Sequence, residues 1–193
     1  ISNQSSGKQG YEIAKSLAKT GVKTTLISGP TNLTPPENVN IVKVETADEM
    51  FEKTKKILPV DIAICVAAVS DFKISNYQNK KIKKRDKIDL SFKKNIDILS
   101  YLSNHNSSRP KLVVGFTAET DNLINNAQEK ILTKHCDWII ANDISNKKIG
   151  FNSDLNEVSI IYKENKKTEK ISKRKKSEIA EIISKKILEN FVS

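Results

Sequence analysis

Two hydrophobic periods alternate along this chain. Ile13, Ala14, Leu17 and Ala18 recur at helical spacing, and Gly21 stands where a C-terminal cap belongs. VKTTLIS (22–28) then reads as a buried strand closed by Gly29-Pro30, and VNIVKVE (39–45) as a second strand after a loop with Pro35-Pro36. Thr46 is placed to cap a helix over 47–58, with Asp48 and Glu49 in its first turn and Pro59 at its end. DIAICVAAV (61–69) is almost continuously apolar, as a central parallel strand is.

Polar, lysine-rich sequence follows to residue 87, then a short alternating strand, IDLSF (88–92). The pattern resumes with a helix near 96–102, the strand KLVVGF (111–116), a helix over 122–134 and the strand DWIIAN (137–142). EVSIIYKENKKTEKI (157–171) reads as a hairpin, and an amphipathic helix over 172–191 ends the chain. Strands alternating with helices predict an α/β fold: a Rossmann-like, doubly wound, mostly parallel three-layer sheet in a single domain over 1–193. Ligands in such sheets bind beyond the carboxyl ends of the strands. That directs attention to 28–29, 67–71, 116–120 and 141–145.

A chain of 193 residues can bury a proper core. It has no apolar run long enough to span a bilayer. Cys65 and Cys136 lie in apolar surroundings and read as reduced core thiols of a cytoplasmic protein, without a metal site. His105 and His135 have no ligand-like spacing and read as surface residues. The net charge of +10 invites a nucleic-acid reading, but Lys supplies nearly all of it, with only three arginines. Arginine is the residue suited to phosphate forks and base edges, so a lysine-rich enzyme that binds neither nucleic acid nor membrane is the better reading.

The opening segment, ISNQSSGKQG, is a small polar loop running into a helix. Loops of this kind present backbone N–H groups to a phosphate and ordinarily follow a strand. A central strand just upstream of Ile1 is therefore expected, and the chain without it is expected to be poorly stable and inactive. A dinucleotide site does not fit well. G-x-G-x-x-G is absent, and the second strand ends in Ser28-Gly29 where a ribose-binding acid would stand. Tyr77 and Lys81 match the Tyr-x-x-x-Lys of short-chain NAD(P) reductases, which keeps that enzyme class as an alternative. The segment around them is too charged and unpatterned for the core helix the motif needs.

Other residues beyond the strands suggest a nucleoside triphosphate. AAVSDF carries one carboxylate, Asp71, which taken alone is better read as capping a helix or turn. KIKK (81–84) is a dense cationic cluster on a loop, and Phe116 in GFTAET can stack on a base or simply pack. Lys130 and Lys134 lie one helical turn apart, so both can face one polyanion.

Taken in order, ISNQSSGK, AAVSDF, KIKK, GFTAET, ANDIS and GFNSD closely resemble phosphopantothenate–cysteine ligase over essentially the whole chain. In bacteria this is usually the C-terminal half of a bifunctional protein. The N-terminal half of such proteins is an FMN-dependent decarboxylase. The resemblance implies CTP and Mg²⁺, with 4′-phosphopantothenate and cysteine as the other substrates. It implies Lys81 as the catalytic lysine and Asn3 as the residue holding the acyl-cytidylate intermediate. Asp71 aligns with the carboxylate that accepts from the cytosine amino group. Ala67, Lys81, Phe116, Lys130 and Lys134 match CTP-contacting positions, and Ser6 and Gly7 belong to the anion-binding loop. Asn95-Ile96-Asp97-Ile98 stands where the family has Asn-Pro-Asp-Ile, so the proline of that turn is replaced. A homodimer, crossing near the KIKK loop, is also implied.

Overall fold

The structure, a computed structural model, describes residues 5–75, 90–145, 153–165 and 167–192. The first half contains α1 (Lys8–Lys19), β1 (Thr24–Ser28), β2 (Val39–Lys43), α2 (Ala47–Ile57), β3 (Ile62–Cys65), β4 (Phe72–Ile74) and β5 (Phe92–Lys94). The second contains α3 (Ile98–Ser103), β6 (Leu112–Glu119), α4 (Leu123–Lys134), β7 (Trp138–Asp143), β8 (Leu155–Tyr162), β9 (Thr168–Lys175) and α5 (Lys176–Val192). The helix ends follow local chemistry. Gly21, at φ +85°, closes α1, and Val22 N–H donates to the Leu17 carbonyl. Thr46 Oγ1 accepts from Glu49 N–H at 3.1 Å, while Glu49 Oε2 accepts from Glu45 N–H at 2.8 Å.

The fold is the α/β arrangement expected. The main sheet runs β3-β6-β7-β8-β9, parallel through β7 and antiparallel beyond it. β1 and β2 form a parallel pair, and β4 and β5 a short antiparallel ribbon. Two apolar layers sandwich the main sheet. On one face, Leu112 and Val114 of β6 pack with Ile13 and Leu17 of α1 and Ile179, Ile183 and Ile187 of α5. On the other, Val113 packs with Leu102 of α3 and Ala127 and Ile131 of α4. Period-2 alternation along β6 thus assigns each residue to a helical layer.

Gly115 marks the closest approach between layers. It pairs with Cys65 on one side and Ile139 on the other. A Cβ there would stand 2.6 Å from Leu99 Cδ2 and 2.7 Å from Ile139 Cδ1. The missing side chain lets α3 sit against the sheet, which also sets the position of the turn preceding α3. Gly115→Ala should cost about 1–3 kcal/mol by overpacking. That corresponds to a melting temperature lower by roughly 2–12 °C for a domain of this size, measurable by thermal unfolding. No change would mean that α3 shifts freely.

Some boundaries differ from the sequence reading. β4 was not expected; its three residues have an apolar–polar–apolar pattern too short to stand out beside the lysine-rich stretch. The apolar run 61–69 contributes only four residues to β3, all half-buried. Among the described residues β1 pairs only with β2, and β3 only with β6. β6 runs on to Glu119, and α5 begins at Lys176 rather than 172, because the preceding residues complete β9 opposite β8. His105 is half-buried, its ring edge-on to Tyr101 and its Nδ1 accepting from Ser108 N–H. Both cysteines are free, their thiols pushed up to about 12, chiefly by burial. None of the described helices is long and apolar enough to cross a membrane.

Candidate functional site

The carboxyl ends of β3 and β6, the start of α3 and one face of α4 come together, and most of the expected site residues lie there. A Cβ on Gly10 would stand 3.7 Å from Val66 Cβ, so the start of α1 lies beside the end of β3. Gly7 takes the left-handed conformation at φ +71°, which glycine adopts without strain, as the first turn of α1 begins. Ser5 Oγ accepts from Gly7 N–H at 3.4 Å and Ser6 Oγ from Lys8 N–H at 3.5 Å, both long bonds. Lys8 itself pairs with Asp154 at 2.6 Å.

Beyond β3, Ala67 is exposed and its carbonyl accepts from Val69 N–H. Asp71 is exposed, and its backbone carbonyl accepts from Asn95 N–H at 2.8 Å. Its carboxylate makes no hydrogen bond or ion pair among the described residues. Asn95 Nδ2 donates to the Ser70 carbonyl at 2.7 Å, leaving a buried Oδ1 without a partner. An orphaned buried oxygen is costly unless something supplies a donor. Ser75 N–H donates to the Ser91 carbonyl at 2.8 Å, at the far end of the β4–β5 ribbon from the Asp71–Asn95 pair.

In the Asn95-Ile96-Asp97-Ile98 turn, Asp97 caps α3 by accepting from Ser100 N–H at 2.8 Å. Its other oxygen accepts from Lys134 Nζ. Burial pushes the Asp97 carboxyl up, but Lys134 and the Ser100 amide outweigh it and hold it below the usual carboxylate range. Ile96 is exposed, and Ile98 packs into the core. The turn keeps its form without proline because the Asp97 cap and the Asn95 amide fix it from both sides.

One turn back on α4, Lys130 Nζ donates to Glu119 Oε1 at 2.6 Å and to Thr117 Oγ1. Asn126 Nδ2 donates to Glu119 Oε2 at 3.1 Å. Burial raises the Glu119 carboxyl, and the donors Lys130, Thr117 and Asn126 more than reverse that. Asp97 and Glu119 thus titrate lower folded than unfolded. Their contribution to stability is fully present above about pH 4–4.5, the unfolded range, and is lost as pH falls through the folded values.

Lys130 and Lys134 lie one turn apart on α4, each paired with its own carboxylate, Glu119 and Asp97. Phe116 lies on the opposite face of β6 from Thr117 and Glu119, packed against the α1/α5 layer. Asn3, Tyr77, Lys81 and residues 150–152 of the GFNSD motif fall outside the described residues. Sequence reasoning did not single out Thr117, Glu119 or Asn126. The alternation Phe116-Thr117-Ala118-Glu119 already places the two polar residues together on the α4 side. Asn142, in the ANDIS motif, also has a buried Oδ1 with no partner.

Residues 1–191 match the family described as the DNA/pantothenate metabolism flavoprotein C-terminal domain. The chain belongs to that family. A curated relative from Haemophilus influenzae, the coenzyme A biosynthesis bifunctional protein CoaBC, is 40% identical over 193 residues. That alignment takes in 99% of this chain and 47% of the relative. The protein of the same name from Borreliella burgdorferi is 42% identical over 189 residues, covering 96% of this chain and 47% of its own length. The chain therefore spans about half the length of these relatives. A crystal structure of a CoaBC C-terminal domain superposes with a TM-score of 0.79 at 31% identity, over 97% of this chain and 84% of the other. The Rossmann-like fold of the DNA/pantothenate metabolism flavoprotein C-terminal domain is thus this chain's fold.

Proposed function

We propose that this chain is a ligase domain of coenzyme A biosynthesis that joins 4′-phosphopantothenate to cysteine at the expense of CTP. The observation that carries the reading is the exposed carboxylate of Asp71, without a partner among the described residues, beyond the end of β3 where α/β sheets bind ligands. A carboxylate only accepts, which suits the exocyclic amino group of cytosine. Kinship with proteins named for coenzyme A biosynthesis supports the substrate class.

In the first half-reaction a carboxylate oxygen of 4′-phosphopantothenate attacks the α-phosphorus of CTP. The bond to the β-phosphate oxygen breaks, and pyrophosphate leaves. In the second, the amine of cysteine attacks the acyl carbon, an amide forms, and CMP leaves with the electron pair of the acyl–oxygen bond. A free carboxylate is a poor acyl donor, and the cytidylate makes it a good one. Lys81 offsets the charge that builds at the α-phosphate and on pyrophosphate. The Asn3 amide holds the acyl-cytidylate with one donor and one acceptor while cysteine arrives. Ser6 and Gly7, at the α1 N-terminus, receive a phosphate. Ala67 and the Asn95–Ile98 turn line the nucleotide, and Lys130 and Lys134 contact it, while Phe116 packs on the other face of β6.

Mg²⁺ bound to a triphosphate neutralises charge and needs few protein ligands. The described residues hold no group of three or more His, Cys, Asp or Glu side chains that would cage a metal. FMN belongs to a decarboxylase half outside this chain, a fused or separate partner.

The chain also forms a homodimer in this reading. Phe72 (49% exposed), Leu90 (50%), Phe92 (45%) and Ile96 (48%) cluster on and around the β4–β5 ribbon. So many large apolar side chains on one ribbon mark an interface. Light scattering at micromolar concentration should give twice the chain mass, and Phe92→Glu should give the monomer mass. A monomer from the unmodified chain contradicts the dimer. The ligase itself is tested by nucleotide-dependent pyrophosphate release.

A further inference from the structure

Both α4 lysines arrive already paired with carboxylates. We propose that Glu119 is a positioning residue that holds Lys130 as a directed donor to the uncharged sugar–base end of the nucleotide, not to its triphosphate. The inference rests on the CTP reading above and refines it.

The geometry around Glu119 is fully determined. Its carbonyl accepts from Ile144 N–H at 3.0 Å, and it pairs with Asp143 across β6 and β7, so its backbone is fixed in the sheet. Oε1 accepts from Lys130 Nζ and Thr117 Oγ1, each at 2.6 Å. Oε2 accepts from Asn126 Nδ2, which also donates to the Asp121 carbonyl at 3.2 Å. The Glu119 side chain is only 15% exposed, so this carboxylate is not itself presented to a ligand.

Lys130 has three ammonium protons. Glu119 and Thr117 take two, in directions set by a β-strand. The third is left over, on a side chain that is 44% exposed. An ammonium tethered at two points has lost most of its freedom before the ligand arrives, which favours a directional hydrogen bond. Lys134 is held in the same manner by Asp97.

Charge decides which part of the nucleotide this donor suits. A triphosphate needs uncompensated positive charge. At α4 it would meet two ammonium groups together with two ionised carboxylates, Glu119 and Asp97, and the attraction would largely cancel. A ribose hydroxyl or a base carbonyl carries no charge and gains from a fixed donor with acceptors beside it. The α4 face has that character.

The test compares cytidine, CMP and CTP by equilibrium competition against a labelled CTP analogue. Lys130→Met should weaken all three by the same factor, about tenfold, the loss of one charge-assisted bond. Glu119→Gln, and more mildly Asn126→Ala, should give the same phosphate-independent pattern. Combined with Lys130→Met, Glu119→Gln should cause no further loss, since it acts through that lysine. A purely structural role would instead give additive losses, which would overturn the proposal. So would a loss for Lys130→Met that grows from cytidine to CTP. Failure of the unmodified protein to bind any of the three would overturn the CTP reading itself, a result distinct from either.

Discussion

Lys81→Gln should lower kcat by about 100- to 1,000-fold, the cost of removing one donor aimed at charge that develops in a transition state. Glutamine keeps the approximate reach and polarity and deletes the charge. The loss should therefore appear mainly in turnover, with a much smaller change in the KM for CTP. Lys81 lies outside the described residues, between β4 and β5 in the chain. Steady-state pyrophosphate release at saturating substrates reads the effect directly. The same experiment separates the ligase from a reductase, because Tyr77→Phe should leave it nearly untouched. Loss on Tyr77→Phe with little on Lys81→Gln would reverse the assignment.

Asp71→Asn should remove most of the preference for CTP over UTP. A carboxylate can only accept, so it favours the cytosine amino group and repels the carbonyl that uracil presents at that position. Asparagine can turn its amide to suit either base. The ratio of kcat/KM for CTP to that for UTP should fall by about 10- to 100-fold, in line with one good base contact. Most of that change should come from better use of UTP. The Asp71 carboxylate, exposed and without a partner among the described residues, ties this prediction to one edge of the site. An unchanged ratio would place base selection elsewhere.

What was legible in the sequence depended on how far apart the interacting groups lie. β6 and β7 announce themselves because parallel strands buried on both faces are continuous apolar runs, and Val113, Val114, Ile139 and Ile140 are all fully buried. The caps at Thr46 and Gly21 are local chemistry, readable within a few residues. β9 was harder. Ser172 to Lys175 resemble the start of an amphipathic helix until β8 is known to lie opposite. The pairing of the α4 lysines was not legible at all. Glu119 is 11 residues from Lys130 and Asp97 is 37 from Lys134, and the fold alone makes them neighbours. Phe116 could be read as packing or as stacking, and alternation along β6 turns it toward the α1/α5 core. The roles given to Lys81 and Asn3 came from motif resemblance rather than geometry.

The measurement that bears most directly on the proposed ligase is pyrophosphate release with 4′-phosphopantothenate, comparing CTP with ATP, with and without cysteine. The account predicts release with CTP, turnover sustained only when cysteine is present, and little release with ATP. Release with ATP in preference to CTP would contradict the role of Asp71, and no release with either nucleotide would contradict the ligase itself.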